Sequence, residues 1–243
     1  MGNLKNLLVY IDPTKAFSGL YGQLVKVQID NSLNLGWKRK DILIVTNFSY
    51  EYNGVKAIVV GDEHYCVVRP RSIKTAIVPF LIDEGIIEKG KIYWNHDLDA
   101  FELNLIDEAE LGLDGVDAGL TDYGWRERLC MGSFFVKASS RDIFKKAKPI
   151  IYKDIEDETA MMQLTANQKY GKRCKRLNIT YNFGMRNIKL NFDKAIKPLR
   201  VVHFRPYNRW VPTLDIFMYG KNELSIPLID RRLKKILNYH KIK

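Results

Sequence analysis

The chain of 243 residues is long enough to bury a substantial core, and its 46% hydrophobic and 12% aromatic content is typical of a folded globular protein. This composition excludes a disordered chain, and no stretch approaches the roughly 20 apolar residues of a membrane span. The net charge of +11 is uneven, because residues 1–140 carry 15 Lys and Arg against 19 Asp and Glu, and residues 141–243 carry 24 against 9. The C-terminal part is therefore expected to meet nucleotide phosphates, an acidic glycan, a membrane surface or nucleic acid, unless its charge only keeps the protein soluble.

The cysteines indicate the compartment. Cys66, Cys130 and Cys174 are isolated from one another and suggest neither a metal-ligand pair nor a disulfide framework. We interpret them as small core or surface residues. The apolar run near the N-terminus is too short for a secretory signal. Together these observations predict a protein of the reducing cytoplasm.

Short apolar strands alternate with helices in the first part of the chain. The predicted strands are Asn6–Ile11, Ile42–Thr46 and Val55–Val60. One predicted helix begins at Phe17 and has Gly36 as its stop. A second spans Ser72–Glu84, with Ser72 as its cap. This alternation predicts an α/β domain with a largely parallel sheet.

The stretch Lys91–Asn104 carries the strongest chemical signal. A buried-type strand, Ile92–Trp94, is followed by Asp97 and Asp99, two carboxylates one residue apart in non-helical chain. Such carboxylates can turn toward one hard divalent cation, and these cations usually arrive with phosphates. The alternative is a plain polar turn, because Asp is common where strands end. Ligands of parallel sheets bind beyond the carboxyl ends of strands, where Asp12 and Asn47 are also predicted to lie.

The second half of the chain is less regular. Asp107–Gly119 predicts a loop or a short edge structure, Leu120–Arg128 a polar-aromatic loop, and Arg231–Lys243 a basic helix or tail. The other predicted elements are the strands Cys130–Val136, Leu177–Phe183 and Leu199–Phe204, a helix around Ile143–Lys148 that ends at Pro149, and a helix Asp157–Tyr170. We expect one domain over residues 1–243, with a nucleotide-binding part (1–104), a sugar and acceptor part (105–220) and a basic C-terminal helix or tail (221–243).

Four segments, in this order and spacing, resemble nucleotide-sugar glycosyltransferases of the GT-A fold. They are IKTAIVPFLIDEG with KIYWNHDLDAFE, then MGSFFVK, EDETAMMQ and VVHFRPYNRW. The pattern is most similar to the glycogenin-like and galactosyltransferase-like groups, although the last segment lacks their Gly-x-x-Lys-Pro-Trp ending. The resemblance implies a single, mostly parallel central sheet flanked by helices, with a smaller acceptor-side region.

The resemblance also implies a donor site. Asp97, Asp99 and His203 would hold a metal ion, for which an imidazole beside carboxylates suits Mn2+ somewhat better than Mg2+. A buried core histidine is the alternative for His203. The nucleotide-sugar contacts would be Tyr10, Asp12, Thr46, Asn47, Arg71, Lys74, Asp97, Arg205 and Arg209, with Phe48 as a stacking candidate. Exposed, solvated faces are the alternative for the four basic residues.

By the same resemblance, Asp157 and Glu158 would be the catalytic carboxylates and would line the sugar pocket. They would bind sugar hydroxyls or stabilise a cationic anomeric centre, or act as the general base if the configuration inverts. The alternative is that they only stabilise a helix N-terminus. Further substrate contacts would be Asp122, Trp125, Gly132 and Ser133, with Tyr123 and Arg126 in the same loop, unless that loop is simply packed surface.

The sequence therefore predicts a metal-dependent glycosyltransferase that uses a nucleoside-diphosphate sugar, expected to be a UDP-sugar. We expect retention of configuration and a cell-surface or lipid-linked glycan as acceptor, with Arg231–Lys243 touching an anionic membrane. Two alternatives remain: a glycosyltransferase acting on modified bases in DNA, and a non-enzymatic basic protein that binds nucleic acid.

Overall fold

A computed structural model of the chain describes residues 2–124, 128–184, 188–204 and 218–242. At its centre is a sheet of eight strands in the order β3-β4-β2-β1-β5-β8-β7-β9. These strands are β1 (Leu4–Tyr10), β2 (Ile42–Thr46), β3 (Glu51–Tyr52), β4 (Val55–Val59), β5 (Ile92–His96), β7 (Ala118–Asp122), β8 (Leu129–Val136) and β9 (Cys174–Arg176); a second sheet pairs β6 (Ala100–Glu102) with β10 (Val201–His203).

Helices cover both faces of the large sheet. The described helices are α1 (Tyr21–Leu35), α2 (Ile73–Ala76), α3 (Val78–Asp83), α4 (Glu108–Leu111), α5 (Arg141–Ile151), α6 (Asp157–Ala166), α7 (Gln168–Gly171), α8 (Ile188–Lys194) and α9 (Arg231–Tyr239). One core lies between the sheet and α1 with α9, and contains Trp94. The other lies between the sheet and α2, α3, α5 and α6, and contains Tyr93. Adjacent residues of β5 thus enter opposite cores, as the alternation of a strand requires. Among the described residues, no helix has the length and apolar content needed to cross a bilayer.

The strand directions explain where a site can form. The pairs β1–β2, β1–β5, β2–β4 and β7–β9 are parallel, and β3–β4, β5–β8 and β7–β8 are antiparallel. The predicted α/β class with a large central sheet is confirmed, and the antiparallel β8 makes the sheet mixed. Because β8 runs against β5, the end of β5 lies beside the first half of β8, and Asp97 N donates to Gly132 O at 2.9 Å.

Several predicted elements are confirmed. Strand β2 has the predicted bounds, and α1 stops before Gly36, whose φ of 96° is readily adopted only by a residue without a side chain. The predicted basic C-terminal helix forms as α9, and its apolar residues Leu233 and Leu237 are buried.

Other predicted elements are wrong. Pro149 lies inside α5, which continues to the buried Ile151. Leu120–Arg128 is not all loop, because residues 120–122 finish β7. The region predicted as a strand at 177–183 contains a 3-10 turn, since the Asn178 side chain accepts a hydrogen bond from Thr180 N. Ser72 does not cap a helix with its side chain; its Oγ instead accepts from Asp157 N at 3.3 Å.

Candidate metal centre

Asp97, Asp99 and His203 converge at the junction of the two sheets. One ligand atom from each lies within 4.8 Å of the others. His203 Nε2 is 3.3 Å from Asp99 Oδ1 and 3.7 Å from Asp97 Oδ2. The histidine is buried, whereas both carboxylates are partly exposed. The three predicted metal ligands are therefore neighbours, and the two carboxylates are accessible to solvent only in part.

The short second sheet brings these residues together. His203 of β10 pairs with Ala100 of β6, so the imidazole lies beside the turn that carries both carboxylates. Gln28 of α1 holds that turn in place, because its Nε2 donates to Leu98 O and Ala100 O, each at 2.8 Å. A buried amide shared by two carbonyls leaves the turn little freedom.

The charges of the triad are mutually dependent. Burial alone lowers the pKa of His203, but the Asp99 carboxylate outweighs that effect and raises the pKa to about 10. Burial alone raises the pKa of Asp99, and His203 outweighs it, so the pKa is lowered. A divalent cation would displace the imidazole proton and take its place between the carboxylates. Two oxygen ligands and one nitrogen ligand fit Mn2+ or Mg2+.

Lys74 is part of the same arrangement. Its Nζ donates to Asp97 Oδ1 at 2.5 Å, which leaves Oδ2 on the side of His203. Burial alone lowers the pKa of Lys74, but Asp97 and then Asp157 outweigh it, so the pKa is raised and the ammonium stays charged. The sequence predicts that Lys74 faces the donor. In the structure Lys74 lines a cavity beside the triad and also neutralises the carboxylate of Asp97.

Two cavities of about 510 and 500 Å3 adjoin the triad. Their linings share Pro70, Arg71, Lys74, Asp97 and His203. The first cavity extends along the ends of the parallel strands, and the second lies over β8 and the start of α6. The candidate metal centre thus stands at the wall between two chambers, where a group could pass from one bound molecule to another.

In the first cavity the structure supports only some of the predicted contacts. Tyr10 and Asp12 line it, together with Tyr65, which no motif of the sequence indicates. Thr46 and Asn47 are buried and do not belong to its described lining. Asn47 instead accepts from Asp12 N and donates to Asp12 O, at 3.0 and 2.9 Å, which supports the loop behind the cavity. Direct contact of Thr46 and Asn47 with a nucleoside stays a prediction.

The predicted carboxylates Asp157 and Glu158 line the second cavity together with Asp97 and His203 of the candidate metal centre. Asp157 Oδ2 accepts from Thr75 Oγ1 at 2.7 Å. Glu158 accepts from the Tyr123 hydroxyl and pairs with Arg128, whose Nε lies 2.9 Å from Oε2. Burial raises the pKa of Glu158 above its ordinary value, although Tyr123 and Arg128 oppose the rise. Arg128 was not selected from the sequence, because a single Arg in a polar loop has no distinguishing pattern.

Of the remaining predicted substrate contacts among the described residues, only some line a cavity. Gly132 lines the second cavity, whereas Ser133 is fully buried: its Oγ donates to Tyr181 O at 2.7 Å and accepts from Trp94 Nε1 at 2.8 Å. Asp122 pairs with Arg176 at 2.6 Å and is not in the described lining of either cavity. Trp125, Arg126, Arg205 and Arg209 lie outside the described residues.

His96 and Cys130 are the remaining ionisable neighbours of the triad. His96 stacks on Trp94 with ring centroids 3.7 Å apart, and burial lowers its pKa to about 3. It is therefore a neutral residue that shapes the turn. Cys130 lines the second cavity and its thiol interacts with His203, although the sequence indicated only a small core or surface residue.

Comparison with known proteins agrees with this geometry at the level of fold. No protein-family model and no curated protein matches the sequence. Among solved structures, an active-site variant of LgtC is similar over 97% of this chain and 95% of its own, with a TM-score of 0.61 and 14% identity. Mouse xyloside xylosyltransferase 1 is similar over 86% and 99%, with a TM-score of 0.53 and 11% identity. GlyE of Streptococcus pneumoniae TIGR4 is similar over 97% of this chain and 63% of its own, with a TM-score of 0.54 and 13% identity.

These similar structures cover nearly the whole chain. Glycosyltransferases of the GT-A fold share its sheet and flanking helices, and the predicted fold is therefore confirmed. The protein has the GT-A glycosyltransferase fold.

Proposed function

We propose that the protein is a metal-dependent glycosyltransferase that uses a nucleoside-diphosphate sugar. The observation that carries the proposal is the position of the Asp97, Asp99 and His203 triad, of which Asp97 and His203 line both cavities and Asp99 lines the first. The similar structures include a xylosyltransferase and the glycosyltransferase GlyE, which supports transfer of a sugar between two bound molecules. The first cavity would take a UDP-sugar, and the second the acceptor.

The chain's own residues account for the main steps. Asp97, Asp99 and His203 would hold Mn2+ or Mg2+, which supplies a Lewis acid for the leaving diphosphate. Arg71 is exposed and lines both cavities, so its guanidinium can bind the diphosphate as negative charge develops. Lys74 keeps Asp97 oriented and adds a positive charge at the same wall.

Retention of configuration is the stereochemical outcome that we propose. Asp157 is held by Thr75, and Glu158 by Tyr123 and Arg128, so both carboxylates are already engaged. They suit binding of sugar hydroxyls better than removal of a proton from an acceptor. The bond from the anomeric carbon to the diphosphate would break as the bond to the acceptor oxygen forms, and the acceptor proton would pass to the diphosphate.

The proposed acceptor is a glycan. A lipid-linked glycan would bring the protein to a membrane, where α9 is the candidate contact. Its apolar residues Leu233 and Leu237 pack inside the protein, so only the exposed basic face and Tyr239 are available to anionic lipids. This contact would therefore be electrostatic, without insertion of an apolar helix face.

A thermal-shift panel of nucleotides and nucleotide sugars, with Mn2+ or with chelator, tests the proposal. At a hundredfold excess over Kd, a bound donor should raise Tm by roughly 5–10 °C, only with Mn2+. Asp99→Asn should abolish that rise, whereas Asp114→Asn, at an exposed carboxylate, should keep it. Absence of metal-dependent stabilisation by every nucleoside diphosphate would refute the proposal. Salt-sensitive binding of duplex DNA in the same samples would favour the nucleic-acid alternatives.

A further inference from the structure

The ring of His203 has a partner on the side away from the carboxylates. His203 Nδ1 lies 2.9 Å from Asn182 Oδ1, and Asn182 is only 1% exposed. We propose that Asn182 is a positioning residue that holds the His203 ring with Nε2 directed at Asp97 and Asp99. This inference rests on the proposed function, because its consequence is the strength of the metal centre.

The backbone fixes Asn182 beside the strand that carries His203. Asn182 follows the 3-10 turn Ile179–Tyr181, and Phe183 then pairs with Val202 of β10. Phe183 N donates to Val201 O at 2.9 Å, and His203 N donates to Phe183 O at 2.7 Å. These backbone hydrogen bonds place Asn182 and His203 side by side, whether or not their side chains contact each other.

The orientation of the Asn182 amide follows from its other contact. Asn182 Nδ2 lies 3.2 Å from Asp122 O, and a peptide carbonyl can only accept a hydrogen bond. The amide nitrogen must therefore face Asp122, and the amide oxygen faces His203. An oxygen at this position requires the hydrogen on His203 Nδ1, so that the lone pair of a neutral ring is on Nε2. A metal ligand needs this tautomer, and such supporting contacts typically change metal affinity 10- to 100-fold.

The same contact connects the metal centre to the second cavity. Asp122 ends β7 and is followed by Tyr123, which donates to Glu158. The side-chain amide of Asn182 thus contacts both the Asp122 carbonyl, next to Tyr123 of the cavity wall, and the imidazole of His203. Asn182 carries no local sequence signature, and nothing in the motif around His203 indicates it.

Mn2+ affinity and the magnetic coupling between Mn2+ and ligand nitrogen, both measured by electron paramagnetic resonance, test the inference without any assay of activity. In Asn182→Leu, we expect about 10- to 100-fold weaker Mn2+ binding and loss of the histidine nitrogen coupling. Asn182→Asp keeps an oxygen acceptor for Nδ1 and should retain the coupling. Asn104→Leu is the matched control, because Asn104 donates to Leu199 O at 2.8 Å on the same segment of chain and should retain both signals.

Equal affinity and equal coupling in wild type and Asn182→Leu would overturn the inference. Equal loss in Asn182→Asp and Asn182→Leu would also overturn it, because the acceptor oxygen would then not be the cause. If Asn182→Leu does not fold, the Mn2+ affinity and the nitrogen coupling of Asn182→Asp are compared with those of Asn182→Ser. The serine hydroxyl ends about one C–O bond short of the amide oxygen, so Asn182→Ser should show the weaker affinity and coupling. If wild type binds no Mn2+, or if His203→Ala keeps its nitrogen coupling, the proposed metal centre itself fails, and the inference fails with it.

Discussion

Gly132 lies directly against the ring of His203. A Cβ added at Gly132 would come within 2.2 Å of His203 Cε1 and 3.0 Å of Asp97 Oδ2. The candidate metal centre therefore needs a residue without a side chain on β8, because any other residue would occupy the space of the imidazole. This requirement explains why a glycine occurs within the fully buried strand β8, where it would otherwise weaken the strand.

We expect Gly132→Ala to displace His203 and to abolish Mn2+-dependent binding of nucleotides, while the free energy of unfolding falls by roughly 1–3 kcal/mol. Metal-dependent thermal shift and denaturant unfolding measure the two effects. Gly22→Ala, in α1, is the control, since its added Cβ would be 3.5 Å from the Cβ of Phe17, which is an ordinary van der Waals contact. Wild-type metal response in Gly132→Ala would contradict the geometry.

Lys74 and a bound cation would neutralise the same carboxylate of Asp97. In Lys74→Met, Asp97 loses its charged partner, so we expect a lower Tm in chelator and a larger stabilisation by Mn2+ than in wild type. Tm with and without Mn2+ measures this difference. Lys91→Met, which removes an exposed pair with Glu88, should leave the Mn2+ response unchanged. An equal or smaller response in Lys74→Met would show that Lys74 does not oppose the cation.

Glu102 predicts a pH dependence of stability. Burial raises its pKa to about 7, although Trp37 Nε1 and Ile106 N donate to its two carboxylate oxygens. The folded protein then binds a proton that the unfolded chain releases near pH 4.5, so this contribution is complete below pH 4.5 and is lost as pH rises to about 7. The loss is on the order of 3 kcal/mol.

Glu102→Gln removes this titration. Its amide also sets an N–H2 group against one of the two donors, which lowers stability at every pH, so the slope between pH 4.5 and 8 is the diagnostic quantity. We expect denaturant unfolding of wild type to show a steeper loss of stability across this range than the variant. Identical slopes would mean that Glu102 does not carry the dependence.

The sequence was informative where one short segment determined the outcome. The run Ile42–Val45 is apolar and forms most of the buried strand β2, and the two carboxylates after β5 lie beside His203 as the sequence predicted. The sequence was misleading at Pro149, because a proline inside a helix typically costs about 3 kcal/mol of stability and was expected to end this one. Helix α5 continues because Ile151 is fully buried, which contributes roughly 1.5–3 kcal/mol, and because Phe144 and Ala147 pack in the same core.

Residues that act through tertiary contacts had no sequence signal. Gln28 holds the turn that carries Asp99 from 70 residues away, and Asn182 contacts His203 from 21 residues away. A single amide in a helix or turn is compatible with many surface roles. Only the assembled sheets show that these two amides contact the His203 ring and the turn that carries Asp97 and Asp99.

The C-terminal helix α9 is expected to stabilise the fold through its apolar face. Leu237 is fully buried against the core shared with α1, so Leu237→Ala should lower the free energy of unfolding by about 2–5 kcal/mol. Tyr239 on the same helix is 78% exposed, and Tyr239→Ala should change it by less than about 0.5 kcal/mol. Chemical denaturation measures both variants. Similar values for the two would show that α9 does not pack as described.

Anomalous diffraction from crystals grown with Mn2+ and UDP tests the central claim most directly. We predict a manganese peak between Asp97, Asp99 and His203, with the diphosphate of UDP in contact with the same ion. The peak should disappear in Asp99→Asn. Bound UDP without manganese at these three residues, or manganese bound elsewhere in the protein, would contradict the account.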